Sequence, residues 1–399
     1  QPFLGVSRIF GICPVSYKLE KCQYFLQSSN LWTVHSYVFC LSMTMMLVMV
    51  LVNDLGGSMQ SIRMRDKKGK ILTSTDISIV IVNVIFGIAV MPFRMRRYSK
   101  ILKIARLIET VLPQRNVKKC RRKSITLIML IYIGLSSVII LDMVIWEKES
   151  LKENDGNSYI KSYLPYYILY YIFITQEIYI SHLIYLLNLK LDTLNVHLEA
   201  SDFPSFFFNM KMVNKYIDAP YLSTMPNGNC LAVLNTNMLE KRLFHLLNVH
   251  KNILLGVNTV NNSFSNGLVL MMFSCLIHLI ITPYFLLAEI VKPDCDVVFS
   301  FLQVVWIVTH IARLLIIVEP CQSCSLEGQR TITLLCGLLG RCDITDNTRK
   351  IVEVFVTQAS QQPVKFSCFH LFNLDRSVLT TLFGSIATYI VILFQFNTN

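Results

Sequence analysis

Charge is scarce in this chain. Only 16% of its 399 residues are Asp, Glu, Lys or Arg, against 53% hydrophobic, and the mean hydropathy is +0.50. Such a composition cannot fold as one water-soluble globule without large apolar patches on its surface. Glycine is thin and scattered, with 15 residues in all. No P-loop, no G-x-S-x-G and no H-E-x-x-H occurs, so phosphate cradles, hydrolase elbows and zincin sites have no basis in the sequence. Nothing supports an enzyme, and no cofactor is expected. The twelve cysteines fall in spans or on the proposed cytoplasmic side, except Cys295, so a disulfide framework is not expected. Cys321 and Cys324 form a C-x-x-C without a second pair at zinc-finger spacing. Burial or palmitoylation suits them better than a metal. No cleavable signal peptide is visible, and Gln1 in place of Met points to a start further upstream.

What the chain has in quantity is apolar runs of about 20 residues, long enough to cross a bilayer core. Seven are read, at 31–53, 76–93, 125–146, 162–187, 267–290, 297–318 and 377–396. The fold class is all-α: a polytopic membrane protein of seven transmembrane helices. The formal charge is +12. In a soluble protein that would suggest nucleic acid, but the basic residues sit beside apolar spans and no nucleic-acid motif accompanies them. They read as orientation signals. With the N-terminus cytoplasmic, segments 1–30, 94–123, 190–251 and 313–376 hold 28 of the 37 Lys and Arg. The outer segments hold nine, five of them between 63 and 70. The expected topology is N-terminus inside and C-terminus outside, in the plasma membrane.

The expected division is as follows. Residues 1–30 form an N-terminal segment, read as a helix lying along the membrane surface, and 31–187 hold spans one to four. Residues 188–266 are a cytoplasmic helical extension, 267–318 hold spans five and six, 319–376 are cytoplasmic anchor helices and 377–399 are the last span. Leu187, Leu191, Leu194 and Leu198 continue span four until Asp202 and Pro204. Leu239, Leu243, Leu246, Ile253, Val257 and Val260 make a second stripe running into span five. Helices that leave the membrane with apolar stripes must pack on each other or on other subunits.

The last span carries Thr381, Ser385, Thr388, Gln395 and Asn399 near one face. Lipid cannot satisfy such a stripe, so it must face protein or water. Helix–helix hydrogen bonding is one reading and a pore lining is the other.

The order of residues here resembles a known signature. Thr388-Tyr389, five apolar residues and Gln395-Phe396 look like the C-terminal TYhhhhhQF of insect gustatory receptors (h, any apolar residue). The run Phe366-Ser367-Cys368 to Leu371-Phe372-Asn373-Leu374-Asp375-Arg376-Ser377 resembles the segment leading into that family's last helix. It departs at His370, where the family commonly has glycine. The resemblance implies a ligand-gated cation channel of four subunits, a homotetramer or a heteromer with related receptors, held by an anchoring bundle. Its pore would be lined by Thr388, Tyr389, Ile392, Gln395 and Phe396, with the last two as a narrow ring. The partners implied are permeating cations, membrane lipid and a small-molecule tastant.

In that topology, polar and aromatic residues converge in the outer halves of the spans. Asp142 and Trp146 end span three, and Tyr163, Tyr166, Tyr167, Tyr170 and Tyr171 open span four. Thr282, Pro283, Tyr284 and Glu289 end span five, and Ser300, Gln303 and Trp306 open span six at intervals of three. The tyrosines read first as an interfacial belt, as on any membrane protein. Gln303 is different, because an amide deep in a span is costly unless paired. Asp142 and Glu289 are open to pairing with a basic residue or to facing outer water, and Glu177 and His182 to a structural pair or a coupling element. Gln303, Trp306, Thr282, Tyr284, Trp146, Asp142 and Ser300 are the candidate ligand-binding residues. Amide, hydroxyl and carboxylate groups beside aromatic faces suit a small polyhydroxylated ligand. Ile281 to Phe285 with Gln303 and Trp306 resemble the fructose-sensing branch of the family. A receptor for bitter compounds is the nearest rival, and a G-protein-coupled receptor conflicts with the charge count.

Overall fold

The computed structural model describes residues 7–8, 10–20, 23–56, 67–112, 117–152, 159–202, 228–293, 295–342, 344–369 and 372–398. Arg63, Arg65, Pro204, Pro226, Asn227, His370, Leu371 and Asn399 lie outside the described residues, as does the Phe396 side chain.

A two-stranded antiparallel hairpin, β1 (Val15–Glu20) and β2 (Gln23–Ser28), comes first. It is followed by α1 (Asn30–Leu55), α2 (Lys67–Val111), α3 (Val117–Lys152), α4 (Tyr159–Asp202), α5 (Gly228–Ile290), α6 (Val297–Leu339) and α7 (Asp346–Gln361). A second short hairpin, β3 (Ser367–Cys368) and β4 (Phe372–Asn373), precedes α8 (Arg376–Thr398). The hairpin at 15–28 replaces the surface helix expected there. Val15, Tyr17 and Leu19 alternate with the polar residues Ser16, Lys18 and Glu20, and Tyr24, Phe25 and Leu26 follow in the second strand. A period of two with β-branched and aromatic residues favours a strand over a helix. Before it, Gly11 has φ +70, and a Cβ there would lie 2.9 Å from the Ser36 backbone. Only glycine allows that turn to close on α1.

Among the described residues six helices are long and apolar enough to cross a membrane: α1 to α6, by their stretches Asn30–Leu55, Gly69–Met95, Lys119–Lys148, Tyr159–Ala200, Met238–Ile290 and Val297–Leu339. In α8 the apolar part among the described residues is the shorter Arg376–Ile392. Five helices, α2 to α6, are longer than a bilayer is thick. At ~1.5 Å per residue, α5 with its 63 residues is about 95 Å long against a core of about 30 Å. Pro92, Pro165, Pro283 and Pro320 lie inside helices that continue through them.

The overshooting ends pack together. Leu191, Leu194 and Leu198 of α4, Leu243 and Leu246 of α5, Leu335 of α6 and Phe355 of α7 are all buried. Polar ties join them: Asn195 Nδ2 donates to the Glu327 carbonyl at 2.9 Å, Thr331 Oγ1 donates to Asn195 Oδ1 at 2.7 Å, and Arg330 pairs with Glu199 at 2.5 Å. The α7 helix starts at Thr345, whose hydroxyl accepts from the Thr348 amide at 3.2 Å, an N-cap that satisfies one orphan donor. Its Val352, Phe355 and Ala359 face the bundle.

Within the spans, α4 is the centre. It packs against α1, α2, α3, α5 and α6. Phe173, Ile172, Leu169 and Ile184 are fully buried on different sides of it. By contrast α1 and α3 show large apolar side chains outward, among them Leu31, Val38, Leu41, Leu130, Ile133 and Ile140. That is the pattern of helices solvated by lipid on one side. Cys321 and Cys324 are fully buried, and Cys321 Sγ donates to the Ile317 carbonyl at 3.3 Å. Burial removes them from the reach of acylation. Among the described residues no group of three metal-ligating side chains occurs. Burial also pushes the Cys368 thiol up to about 12, so it stays protonated and unreactive.

Candidate ligand site and the buried polar network

The tyrosines of α4 are placed by helix geometry alone. Tyr163, Tyr166, Tyr167 and Tyr170 stand at spacings of three and four, so each turn presents a phenol to a neighbouring helix. All four are buried, at 4% exposure or less. Each oxygen meets a charged group of another helix. Tyr163 donates to Asp54 of α1, Tyr166 to Asp76 Oδ2 of α2 at 2.9 Å, and Tyr167 to Asp142 of α3. Tyr170 accepts from Arg313 Nη1 of α6 at 3.1 Å. The expected interfacial belt is corrected here. A phenol whose oxygen finds a carboxylate inside the protein gains a charge-assisted hydrogen bond, and it has no reason to reach for the headgroups.

Two of the sequence-predicted residues meet directly. Trp306 Nε1 donates to Asp142 Oδ1 at 2.9 Å, while Tyr167 holds Oδ2. Asp142 is fully buried, so it does not face outer water. A phenol and an indole neutralise its lone pairs instead. One turn on from Asp142, Trp146 stacks on Tyr159 and meets the edge of Phe299, with centroids at 5.8 and 5.5 Å. Phe299 is the neighbour of Ser300, whose hydroxyl lies 3.5 Å from Cys295 Sγ. Gln303 is buried three residues before Trp306 on the same side of α6. Thr282 and Tyr284 are buried on α5, flanking Pro283, and Tyr284 meets the edge of Phe285. Glu289 closes the α5–α6 connection, pairing with Lys292 at 2.5 Å and accepting from the Asp296 amide at 3.2 Å.

Beneath Trp306 lies a constellation the sequence reading did not find. The indole stacks on His310 at 5.6 Å and meets Tyr170 edge-on at 5.5 Å. His310 in turn lies 4.6 Å from the ring of His278. Arg313 grips Glu177 bidentately, Nη2 to Oε1 at 2.8 Å and Nε to Oε2 at 3.1 Å. Both side chains are at most 2% exposed. Arg313 Nη1 also reaches His310 Nδ1 at 3.2 Å. A guanidinium only donates, so Nδ1 is the unprotonated nitrogen of that ring. His278 Nε2 lies 3.0 Å from Asp76 Oδ1, close but off the hydrogen-bond line, and its Nδ1 is 2.6 Å from the Ser274 carbonyl. One continuous path thus runs Tyr167–Asp142–Trp306–His310–Arg313–Glu177.

Of the two readings left open for Glu177 and His182, the structural pair between them does not form. Glu177 belongs to Arg313, and His182 Nδ1 lies 3.3 Å from the Ser124 hydroxyl. A signal was available: an acid in span four and an arginine in span six, each of which must be paired inside a membrane. Counting Arg313 with the cytoplasmic bases hid it.

The pore candidates stand apart from this network. The α8 helix touches α5 and, more sparsely, α6. It turns Val378, Leu379, Leu382, Ile386 and Ile390 toward them. Thr381, Thr388, Tyr389, Ile392 and Gln395 are exposed on the single chain. The hydroxyls of Thr381, Ser385 and Thr388 donate to carbonyls four residues back, at 3.2, 3.0 and 3.0 Å.

The comparisons with known proteins agree with this architecture. The fold is that of the insect olfactory receptor OR5 from Machilis hrabei, with a TM-score of 0.66 at 14% identity over 99% of this chain and 97% of that one. The same receptor in complex with eugenol gives 0.62 at 13% identity, over the same shares of the two chains. The chain is 25% identical to the gustatory receptor for sugar taste 43a of Drosophila melanogaster, over 99% of this chain and 98% of that protein. It is 26% identical to the gustatory receptor 68a of the same fly over 24% of each. A helical, multi-pass membrane protein with a packed polar network and no catalytic constellation among the described residues matches the family model for the 7tm chemosensory receptors from residue 1 to residue 399, and the chain belongs to that family.

Proposed function

We propose that this chain is a gustatory receptor that works as a ligand-gated, non-selective cation channel, opened from outside by a small polar tastant, a sugar such as fructose. The observation that carries the reading is the junction of α3, α4 and α6. There Asp142, Trp306 and Gln303 put carboxylate, indole and amide together in a dry site. Aromatic faces suit the C–H surfaces of a sugar, and an amide held out of water favours a hydroxylated ligand over one without hydroxyls. End-to-end similarity to a protein named for sugar taste supports the same class.

In this proposal four copies surround one axis with α8 innermost, and Gln395 and Phe396 form the narrow ring. The overshooting ends of α4, α5 and α6 with α7 are the cytoplasmic anchor, corresponding to 188–266 and 319–376. The N-terminus is cytoplasmic and the C-terminus outside. Ligand opens the channel only by binding the open form better than the closed one. Pro283 gives α5 a place to bend between the site and α8, because it removes a backbone hydrogen bond.

The test is current recording from the chain expressed alone, against a panel of sugars and bitter compounds, without G-protein signalling. Sugar-evoked cation current is expected. Current evoked only by bitter compounds replaces the ligand class, and no current despite surface expression removes the channel reading. Tags inserted at Gly228 and after Asn399 should be protected and accessible, respectively, on intact cells. Both tags on one side ends the seven-span topology.

A further inference from the structure

A second polar site lies away from that junction, among α2, α4 and α5, in the half of the spans that carries the basic clusters. A cavity there is lined by Asn83, Gly87 and Arg94 of α2, Gln176 of α4, and Phe264 and Gly267 of α5, among others. Its free room is about 20 Å³, enough for one or two water-sized particles. We infer that this cavity binds a small monovalent inorganic anion such as chloride, held by the Arg94 guanidinium and the Gln176 amide.

The first ground is charge. Arg94 is 6% exposed and makes no ion pair with a carboxylate among the described residues; its Nε is buried without a partner. Its guanidinium lies over the rings of Phe86 and Phe264, at 5.3 and 5.2 Å. Ring faces attract a cation but do not neutralise it. Arg97, three residues on, adds to the positive field, and its Nη1 donates to the neutral Asn262 carbonyl at 2.8 Å. A buried charge without a counter-charge is among the costliest arrangements a protein can hold. Water solvates such a charge, and an anion cancels it.

The second ground is an orphaned amide. Gln176 is 5% exposed, and both Oε1 and Nε2 are buried with no hydrogen-bond partner. It is seated against bare backbone, since a Cβ at Gly87 would fall 2.1 Å from Gln176 Oε1. Asn83 adds an amide already engaged, its Nδ2 donating to the Ile79 carbonyl at 2.8 Å. A halide close to water in radius fits the room available, accepting from Nε2 on one side and facing the guanidinium on the other. A phosphate or a carboxylate ligand is too large for it. This inference is independent of the proposed tastant site, which lies on other faces of α3, α4 and α6.

The experiment is thermal unfolding of the purified full-length chain in chloride, in bromide and in gluconate at equal ionic strength, repeated for Gln176→Leu and Arg94→Gln. Wild type should melt higher in either halide than in gluconate, by about 1–3 °C, and both variants should lose that difference. Bromide in place of chloride should give an anomalous or difference peak beside Arg94, a readout that stands even where a variant fails to fold. No halide dependence in wild type overturns the inference. So does a halide effect of equal size in both variants, which marks a general salt effect. A melting shift produced by added phosphatidylglycerol and not by halide overturns it in favour of a lipid headgroup.

Discussion

The α4 helix ties its tyrosines to other helices, and α8 ties the hydroxyls of its span to itself. Along α4, Tyr163, Tyr166, Tyr167 and Tyr170 reach Asp54, Asp76, Asp142 and Arg313 on four different helices, and Glu177 holds Arg313. Along α8, Thr381, Ser385 and Thr388 turn back to carbonyls of their own helix, and one flank is bare in the single chain. Both helices are apolar, and both carry polar residues at helical spacing. One is the hub of the subunit, while the other has an unfilled face. A polar residue in a span thus signals either a partner within the chain or a surface kept for something outside it, and spacing alone does not say which.

The contrast breaks most severely at the Glu177–Arg313 pair. Removing one partner strands a buried charge, at a cost of about 3–5 kcal/mol. Glu177→Leu or Arg313→Met alone should abolish the monodisperse, folded protein seen by size-exclusion chromatography and thermal melts. The two together should recover much of the loss, because a well-packed apolar pair is tolerated where a lone charge is not. Equal damage from the double and single changes would mean that the pair does not act as a unit.

A smaller effect is expected at the ligand junction. Trp306→Phe keeps an aromatic ring, though a smaller one, and deletes the N–H that holds Asp142, and Gln303→Ala deletes the amide. A buried hydrogen-bond mismatch costs about 1–3 kcal/mol, a fold-change of roughly five to over a hundred in sensitivity. The measurement is a dose–response series with surface expression followed in parallel. Wild-type sensitivity in both variants places the ligand elsewhere.

On α8 the expected changes concern current rather than folding. Phe396→Ala should raise ligand-free leak, and Gln395→Glu should shift cation permeability by placing a ring of negative charge at the proposed constriction. Unchanged leak and selectivity in well-expressed variants remove both from the gate. Smallest of all is Thr381→Val, whose hydroxyl bonds only within its helix. Its effect on melting should stay within about 0.5 kcal/mol, whereas Tyr167→Phe on α4 should exceed that. Comparable melting losses at the two positions would erase the distinction between the helices.

The sequence by itself determined the class of the protein. Apolar runs of bilayer length specify spanning helices without reference to any neighbour, because a backbone in lipid must satisfy its own hydrogen bonds. The stripes at Leu191, Leu194 and Leu198 and at Leu243 and Leu246 likewise announced packed ends, and the residues around Thr388 to Phe396 carried the family. The sequence also marked Asp142, Gln303 and Trp306 as residues whose polarity needed an explanation. Only the tertiary structure decided what explained it. Asp142 meets Trp306 across 164 positions of chain, and Glu177 meets Arg313 across 136. Pairings at such separations depend on which helix faces rotate toward each other, and a pattern local to one helix carries no trace of them. The same reason turned a belt of tyrosines into the core of α4, and brought Arg94 and Gln176 to one cavity that neither helix shows alone.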